Sequence, residues 1–161
     1  MTSNQNPIDA VDEQTSACTN SAIRRAARRI GQIYDDALKT CDLRATQYGL
    51  LSQINREQGA TMRTIADAMV MDLSALGHTL KPLVRDGLVE LVVDIDDRRS
   101  KRVYLSPTGE EKLKEAQKIW RRVHDSFEHV YGDEDALRLR KTLDFIASST
   151  FAEKVFAGLH D

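Results

Sequence analysis

A short charged segment near the middle of the chain contains the residues best suited to binding an anion. Arg98-Arg99-Ser100-Lys101-Arg102 places four cations within five residues, and Asp94, Asp96 and Asp97 come shortly before them. Guanidinium groups bind phosphate bidentately, and carboxylates can orient guanidinium groups in the same way. A run of charges is more often simply solvated. The segment is therefore either a solvated turn or a phosphate-binding site, and the elements around it decide between the two.

Two strands and a helix are predicted around this segment. The hydrophobicity pattern indicates strands at Leu88–Val93 and Lys101–Leu105, joined by a polar turn at 94–100. The cations would then lie at the tip of a β-hairpin. A helix is predicted from Leu73 to Asp86, directly before the hairpin, with Asp72 as its N-cap.

The face of this helix that points away from the core combines small groups with hydrogen-bond donors. Its members are Ser74, Ala75, Gly77, His78 and Lys81. A helix with such a face fits the major groove of DNA, which is about 12 Å wide. Cations on a rigid hairpin beside it would follow a minor groove or a phosphate track. The helix alone could equally be a solvated surface, but together with the hairpin it favours DNA binding.

The rest of the chain is predicted to be helical. Ser106-Pro107 is typical of a helix start, and Gly132 interrupts the last helical stretch, which restarts at Asp133 and continues to the end. The predicted order is α–α–α–α–β–β–α–α. This is a mainly α fold with a small β-hairpin wing, a winged helix-turn-helix combined with a helical dimerisation region. The predicted boundaries are a disordered tail at 1–14, the dimerisation region at 15–41 and 107–161, and the winged helix-turn-helix at 42–106.

Composition narrows the class of protein. The 161 residues carry a net charge of −2, so a DNA-binding surface must gather its positive charge locally. No apolar run approaches the roughly 18 residues that span a membrane, and the N-terminus lacks a secretion signal. We therefore expect a cytoplasmic protein without a membrane partner. No nucleophile elbow, phosphate loop or metal-binding histidine cluster is present in the sequence, so we expect no enzyme, no cofactor and no metal.

Two segments resemble the MarR family of transcriptional regulators. Residues 70–89, VMDLSALGHTLKPLVRDGLV, are similar to the recognition helix of that family and the turn into its wing. Residues 94–109, DIDDRRSKRVYLSPTG, are similar to its wing motif D-P-x-D-R-R-x-x-x-V-x-L-T-x-x-G. The resemblance implies a triangular homodimer on a palindromic DNA operator, with the first and the last two helices forming the dimer. It extends over almost the whole chain, from Ala17 to about Phe156.

The resemblance also assigns roles to individual residues. Arg99 would enter the minor groove with Asp97 orienting it, and Arg98 and Lys101 belong to the same wing site. The residues expected to face the major groove are Ser74, His78 and Lys81, and those expected to meet phosphates are Thr61 and Arg63.

Three residues depart from the family pattern. Ile95 replaces the usual wing proline, which predicts a less rigid tip. Arg44 stands where a threonine often caps the second helix, which predicts a shifted helix start. Pro82 lies inside the recognition helix and predicts a bend there.

The resemblance implies an effector site between the dimerisation helices and the winged helix, where ligands of the family, often aromatic acids, bind. The first helix has a basic face of Arg24, Arg25, Arg28 and Arg29, which is either solvated or paired with the partner subunit, or else the wall of such a site. In the latter case Arg24 and Arg28 would bind a carboxylate. The flat walls would be Tyr34, Tyr48 and Trp120. The prediction is a repressor that a small aromatic acid releases from DNA.

Two alternatives stay open at this point. Cys18 lies near a helix start, where a thiolate is stabilised, and some family members sense organic hydroperoxides with a cysteine at this place. If one helix joins Cys18 and Cys41, they lie about 35 Å apart, too far for a disulfide within one subunit. A redox-sensing repressor is therefore one alternative. The other is a constitutive or architectural DNA-binding dimer without an effector.

Overall fold

The computed structural model describes residues 18–159 of the chain. These residues form seven α-helices, a short 3₁₀ turn at Lys39–Cys41 and one antiparallel hairpin. The elements are α1 (Thr19–Leu38), α2 (Ala45–Arg56), α3 (Met62–Ala68), α4 (Leu73–Arg85), β1 (Val89–Val93), β2 (Lys101–Leu105), α5 (Pro107–Tyr131), α6 (Asp133–Ile146) and α7 (Ser149–Ala157). The predicted fold class, mainly helical with a β-hairpin wing, is confirmed. The predicted tail at 1–14 lies outside the described residues.

The chain divides into two compact units, and α1 and α5 each contribute to both. The first unit is Gly31–Val123 and contains the hairpin together with α2, α3 and α4. Its core is built from buried leucine, isoleucine and valine side chains of every one of these elements. The largest buried side chains are Leu38, Leu50, Leu51, Ile54, Ile65, Leu76, Leu80, Leu83 and Val103.

The spacing of buried residues in α4 determines which of its faces is exposed. Leu76, Leu80 and Leu83 are four and three residues apart, so they share one side of the helix, and all three are buried. A wide apolar stripe of this kind turns the opposite side of the helix to solvent. The core therefore orients the predicted recognition face outward.

The hairpin is held to the core by β2. Val89 pairs with Leu105 and Val93 with Lys101, and side chains along each strand alternate between the two faces. Val103 and Leu105 are buried accordingly. The loop before α3 extends this pairing, because Gly59 N–H donates to the Val103 carbonyl at 3.0 Å and Val103 N–H donates back to that of Ala60 at 2.9 Å. The wing is thus bonded to the loop that leads into α3.

Side-chain caps explain where three helices start. Thr61 accepts from Thr64 N–H before α3, and Asp72 accepts from Ala75 N–H at 2.6 Å before α4. Ser106 accepts from Gly109 N–H at 3.0 Å before α5. Each cap satisfies a backbone donor that the helix itself leaves unpaired. The predicted starts at Asp72 and Ser106 are therefore confirmed.

The start of α2 is satisfied from another helix. Arg44 has no side-chain acceptor to offer, but Asp35 of α1 accepts from Ala45 N–H at 2.6 Å. Gln47 completes the arrangement by accepting from Arg44 N–H at 2.9 Å. Asp35 thus satisfies the first backbone donor of α2, and α2 begins directly after Arg44.

The second unit consists of 1–30 and 124–161, of which 18–30 and 124–159 are described. Gly132, with φ of 93°, separates α5 from α6 as predicted. The prediction of one continuous helical stretch after Asp133 was wrong, because the chain leaves the helix at Ala147 and α7 starts anew. Ser148 explains the break, since its hydroxyl accepts from Phe151 N–H at 3.2 Å and caps α7.

Candidate nucleic-acid interface

The outer face of α4 brings together the three residues that the sequence assigned to base contacts. Ser74, His78 and Lys81 are four and three residues apart, and all three side chains are exposed. Gly77 lies between them, and a Cβ atom there would meet nothing within 4 Å. The face therefore offers a hydroxyl, an imidazole and an ammonium group around a shallow surface. These groups can donate hydrogen bonds to base edges or phosphate oxygens.

The proline inside α4 does not end the helix. α4 continues to Arg85, and the Pro82 carbonyl accepts from Asp86 N–H at 2.9 Å. The only intrahelical bond that a proline removes is the one its own N–H would have donated to His78. Ser74, His78 and Lys81 all precede Pro82 and thus lie in one continuous stretch of helix.

The start of α3 presents a second polar surface. Arg63 and Thr64 are exposed in its first turn. The Thr61 hydroxyl is engaged in capping the helix and lies 3.0 Å from the Thr64 hydroxyl. Arg63 is thus the charged group available at this helix start, while Thr61 fixes the local backbone.

The wing tip is a tight turn that backbone and carboxylate groups hold together. Asp94 N–H donates to the Ser100 carbonyl at 3.0 Å, and Ser100 N–H donates to that of Asp97 at 2.8 Å. The Asp97 carboxylate accepts from Arg99 N–H at 2.9 Å. The Asp97 carboxylate therefore contacts the backbone of Arg99. The resemblance had implied instead that it orients the Arg99 guanidinium group.

As a result, the cations of the tip keep their charges available. Arg98, Arg99 and Lys101 are exposed, and their side chains make no ion pair with any residue of 18–159. Three neighbouring positive charges repel each other, so an anion that meets all of them gains more than it would from one. Ile95 is also 92% exposed at this tip and shields no charge. The tip is chemically suited to a phosphate backbone.

Arg102 differs from these three cations. Its Nη2 lies 2.9 Å from Oδ2 of Asp94, a carboxylate that is only 4% exposed. The hydrogen bond from Asp96 N–H, followed by the Arg102 guanidinium group, holds the pKa of the Asp94 carboxyl below its ordinary value, although desolvation acts in the opposite direction. Sequence reasoning counted Arg102 among the cations of the tip and expected the acids before them, Asp94 included, to orient the arginines, but it did not single out the pair of Arg102 and Asp94. The signal it missed was the register, which places Arg102 beside Lys101 but on the other face of β2.

A separate cavity of about 550 Å³ lies in the first unit, and it contains all three aromatic residues predicted for the effector site. Its lining is Tyr34, Ala45, Tyr48, Gly49, Ser52, Arg56, Gln117, Trp120 and Arg121. The rings of Tyr48 and Trp120 are stacked with centroids 6.1 Å apart. Burial, followed by the neighbouring Tyr34, raises the pKa of Tyr48, so its hydroxyl is a neutral hydrogen-bond donor.

The cations of this cavity are not those predicted from the sequence. Arg56 and Arg121 line it, and both lie close enough to act on the ionisation of Tyr48. Arg24 and Arg28 are exposed residues of α1 in the second unit, and their part in effector binding stays a prediction.

The two cysteines lie in opposite environments. Cys18 is exposed directly before α1, whereas Cys41 is buried and its thiol lies 3.1 Å from the Leu38 carbonyl. Burial, followed by the charge of Glu115, raises the pKa of Cys41, which makes it a poor nucleophile near neutral pH. Cys18 is thus the accessible thiol of the two.

His124 of α5 has a structural partner. His124 Nε2 lies 3.3 Å from Oε1 of Glu128, and the same oxygen lies 2.8 Å from Arg140 of α6. This group links α5 to α6. In the described part of the chain no group of three or more side chains is arranged to hold a metal ion. Likewise, none of the helices in that part is long and apolar enough to cross a membrane.

Known proteins of the same fold are regulators of transcription. A model of the MarR family matches residues 42–100. The crystal structure of the Mycobacterium tuberculosis transcriptional regulator MosR in complex with DNA is 32% identical, with a TM-score of 0.76, and covers 84% of this chain and 97% of that one. The HTH-type transcriptional regulator SarZ of Staphylococcus saprophyticus is 25% identical over 81% of this chain and 88% of its own length.

A second similar structure contains a ligand. NadR in complex with 4-hydroxyphenylacetate has a TM-score of 0.70 and 20% identity, and it covers 83% of this chain and 94% of its own. At that identity the likeness concerns the fold.

Proposed function

This chain belongs to the MarR family of DNA-binding transcriptional regulators and is not an enzyme, and from this premise we propose that it is a homodimeric repressor of a palindromic operator, released by a small aromatic acid. The observation that carries the proposal is the pair of exposed surfaces on one core. Ser74, His78 and Lys81 point outward from α4, while the unpaired cations of the wing tip stand on the hairpin that follows it.

The two surfaces are chemically suited to different parts of the DNA. The α4 face is small and only weakly basic, so it suits base edges in the major groove, where donors and acceptors identify each base pair. The wing tip carries concentrated charge without a pattern of acceptors, so it suits phosphates and a narrow minor groove. We therefore assign sequence discrimination to α4 and most of the salt-dependent affinity to the wing, with Arg63 as a further phosphate contact.

A dimer is supported by the apolar surface of the second unit. Large apolar side chains of α5, α6 and α7 are exposed there, and a monomer would leave them in water. They are Val130, Leu137, Leu143, Phe145, Val155 and Phe156. A twofold dimer presents two identical α4 helices, which matches two half-sites about one helical turn apart on a palindrome.

The cavity of the first unit supports an aromatic acid as effector. Tyr34, Tyr48 and Trp120 provide flat surfaces for a ring, and the guanidinium groups of Arg56 and Arg121 can bind a carboxylate. A cavity of about 550 Å³ is of the size that holds small organic ligands. NadR, a protein of the same fold, binds an acid of this class. Arg24 and Arg28 remain alternative partners for the carboxylate.

Release from DNA requires that the acid binds two dimer arrangements with different affinity. It must favour the arrangement in which the α4 helices are wrongly spaced for the operator. The resulting coupling is expected at about 1–3 kcal/mol, or roughly a 5–150-fold loss of operator affinity.

The DNA-binding part of the proposal is tested by selecting duplexes from a random-sequence pool with the full-length protein. A repressor of this kind enriches a palindromic sequence and binds it far more tightly than the unselected pool. Enrichment of no common sequence would contradict the proposal.

The effector part is tested by a thermal-shift screen of aromatic carboxylic acids. An acid that binds the cavity stabilises the wild type, and Arg121→Ala reduces this stabilisation, whereas the neighbouring exposed Arg122→Ala does not. If Arg28→Ala loses the stabilisation by the acid and Arg121→Ala keeps it, the carboxylate binds to the first helix instead. Stabilisation by none of the acids would remove the aromatic acid from the proposal.

A further inference from the structure

Arg102 connects the wing to the segment that starts α3, and we propose that it is a positioning residue for DNA binding. In this role it fixes the wing and α3 relative to each other before DNA arrives, without contacting DNA itself. The inference rests on the proposed DNA binding. Its basis is that the two ends of one guanidinium group bind two different segments, Asp94 at the end of β1 and Gly59 in the loop before α3.

On the wing side, Asp94 connects Arg102 to the backbone of the tip. Its Oδ2 lies 2.9 Å from Arg102 Nη2, while its Oδ1 accepts from Asp96 N–H at 3.0 Å. Its own N–H donates to Ser100 across the turn. Because Asp94 is almost fully buried, its carboxylate needs these partners to stay charged. The segment that carries Arg98 and Arg99 is thus anchored at its base by Arg102.

On the helix side, the bond goes to a backbone carbonyl. Arg102 Nη1 lies 2.9 Å from the carbonyl oxygen of Gly59, a residue with φ of 80°. A Cβ atom at Gly59 would lie 2.9 Å from the Tyr104 hydroxyl, so the loop is pressed closely against β2. Thr61, two residues later, pairs with Arg102 in an isolated bridge and caps α3. Arg63 lies two residues after Thr61 in the first turn of α3, so its backbone position depends on the segment that Arg102 holds.

The strand register separates Arg102 from its neighbour. Lys101 is exposed, whereas the side chain of Arg102 is 37% exposed and points toward Asp94 and Gly59. Adjacent residues of a strand project to opposite faces. Both positions carry one positive charge, but Lys101 belongs to the proposed phosphate-binding cations, so Lys101→Ala is the contrasting variant and is expected to lower the salt slope that Arg102→Ala leaves unchanged.

Loss of the Arg102 side chain leaves the hairpin strands paired and the backbone bonds between β2 and the loop before α3 in place, but it removes the anchor at the base of the wing tip. The Asp94 carboxylate and the Gly59 carbonyl then turn to water, and the tip samples several positions. Ordering it again on DNA costs affinity, which we expect to fall by about tenfold in Arg102→Ala. The number of neutralised phosphates does not change, so the slope of affinity against salt concentration stays that of the wild type.

The experiment measures binding at several salt concentrations to the duplex that the wild type selects from a random-sequence pool. The variants are Arg102→Ala, Arg102→Lys and Lys101→Ala, together with Ala116→Gly in the buried face of α5 as a control for lowered stability. Arg102→Lys is expected between wild type and Arg102→Ala, because one ammonium group replaces a two-ended fork. Amide exchange at 94–100 without DNA is expected to increase in Arg102→Ala and not in Lys101→Ala.

The binding data distinguish a positioning role of Arg102 from a direct phosphate contact and from a general contribution to stability. Unchanged affinity in Arg102→Ala would contradict the proposal, as would a salt slope that falls by about one, which would make Arg102 a phosphate contact. If Ala116→Gly lost as much affinity as Arg102→Ala, lowered stability alone would explain the effect of Arg102→Ala, and this would also contradict the proposal. If the wild type selects no duplex, the proposed DNA binding itself fails. Amide exchange at 94–100 still tests the anchoring in that case.

Discussion

At the scale of single residues, the wing contains two kinds of cation, those without an ion pair and one that is bound to two other segments. Arg98, Arg99 and Lys101 make no ion pair within 18–159, whereas Arg102 is bound at both ends of its guanidinium group. The sequence alone identified all of these cations but could not distinguish them, because residue type does not reveal what lies across a strand. It likewise paired Asp97 with the guanidinium group of Arg99, although Asp97 binds the backbone of the turn.

The first prediction concerns Arg99 at the wing tip. Arg99→Ala should weaken binding to operator and random DNA alike and lower the salt slope by about one for a lost phosphate contact. His78→Ala should instead reduce the ratio between operator and random affinity. Lys114→Ala, which removes an exposed cation of α5, is the control for net charge. An Arg99→Ala variant with unchanged affinity and slope would show that the wing does not meet DNA.

The second prediction concerns Cys18 and the redox alternative. Cys18 is exposed and Cys41 is buried, so a thiol reagent should modify one cysteine rapidly and the other slowly, and Cys18→Ser should remove the rapid phase. We expect Cys18→Ser to repress as the wild type does. DNA release by cumene hydroperoxide that occurs in the wild type and disappears in Cys18→Ser would favour the redox-sensing repressor instead.

At the scale of elements, the start of α5 shows how closely the wing and the helix after it are fitted. The Ser106 hydroxyl donates to the Gly87 carbonyl at 2.5 Å and accepts from Gly109 N–H, so one side chain joins the end of α4 to the start of α5. Gly109 is buried in this junction, and a Cβ atom on it would lie 2.0 Å from the Leu88 carbonyl oxygen. The backbone at this junction is packed too closely to accommodate an added methyl group.

The third prediction follows from this junction. Gly109→Ala should destabilise the protein by about 1–3 kcal/mol or more, because the added methyl group meets backbone atoms that cannot move aside. Gly49→Ala in α2 is the matched control, since a Cβ atom there meets nothing within 4 Å and alanine favours a helix. Urea denaturation of both variants measures the difference. Equal midpoints would contradict the close approach.

Most elements could be predicted from the sequence because their signals are local. The hydrophobic pattern placed β2 at Lys101–Leu105 and β1 to within one residue of Val89, and the caps Asp72 and Ser106 marked helix starts. The break between α6 and α7 was missed, because the apolar stripe continues across it and only the capping hydroxyl of Ser148 marks it. The partner of Ala45 was also beyond sequence reasoning, since Asp35 reaches it from a different helix.

At the scale of the whole molecule, a chain with a net charge of −2 binds a polyanion through a local surface. The unpaired cations of the wing tip place positive charge at one end of the hairpin, where the carboxylates of Asp94 and Asp97 are engaged in hydrogen bonds of the turn. The electrostatic attraction to DNA is therefore directed at the wing tip, and it weakens as the salt concentration rises. The cations that line the cavity of the first unit could not be predicted, because Arg56 and Arg121 are far apart in sequence.

The fourth prediction is that the protein is a dimer at micromolar concentration. Its mass in sedimentation should be twice 18.1 kDa. Phe156→Asp places a charge on the exposed apolar surface of the second unit and should shift the equilibrium toward monomer. Ile95→Asp, at the exposed wing tip, is the control and should not. A mass near 18.1 kDa at every concentration would exclude the dimer.

Footprinting on the duplex selected from the random-sequence pool tests the central claim most directly. A dimer that reads DNA with two α4 helices should protect two symmetric half-sites about one helical turn apart, and His78→Ala should weaken protection of both. The flanking contacts of the wing should disappear in Arg99→Ala. Protection of one half-site only, or of no defined sequence at all, would contradict the account of this protein as a dimeric, sequence-specific regulator.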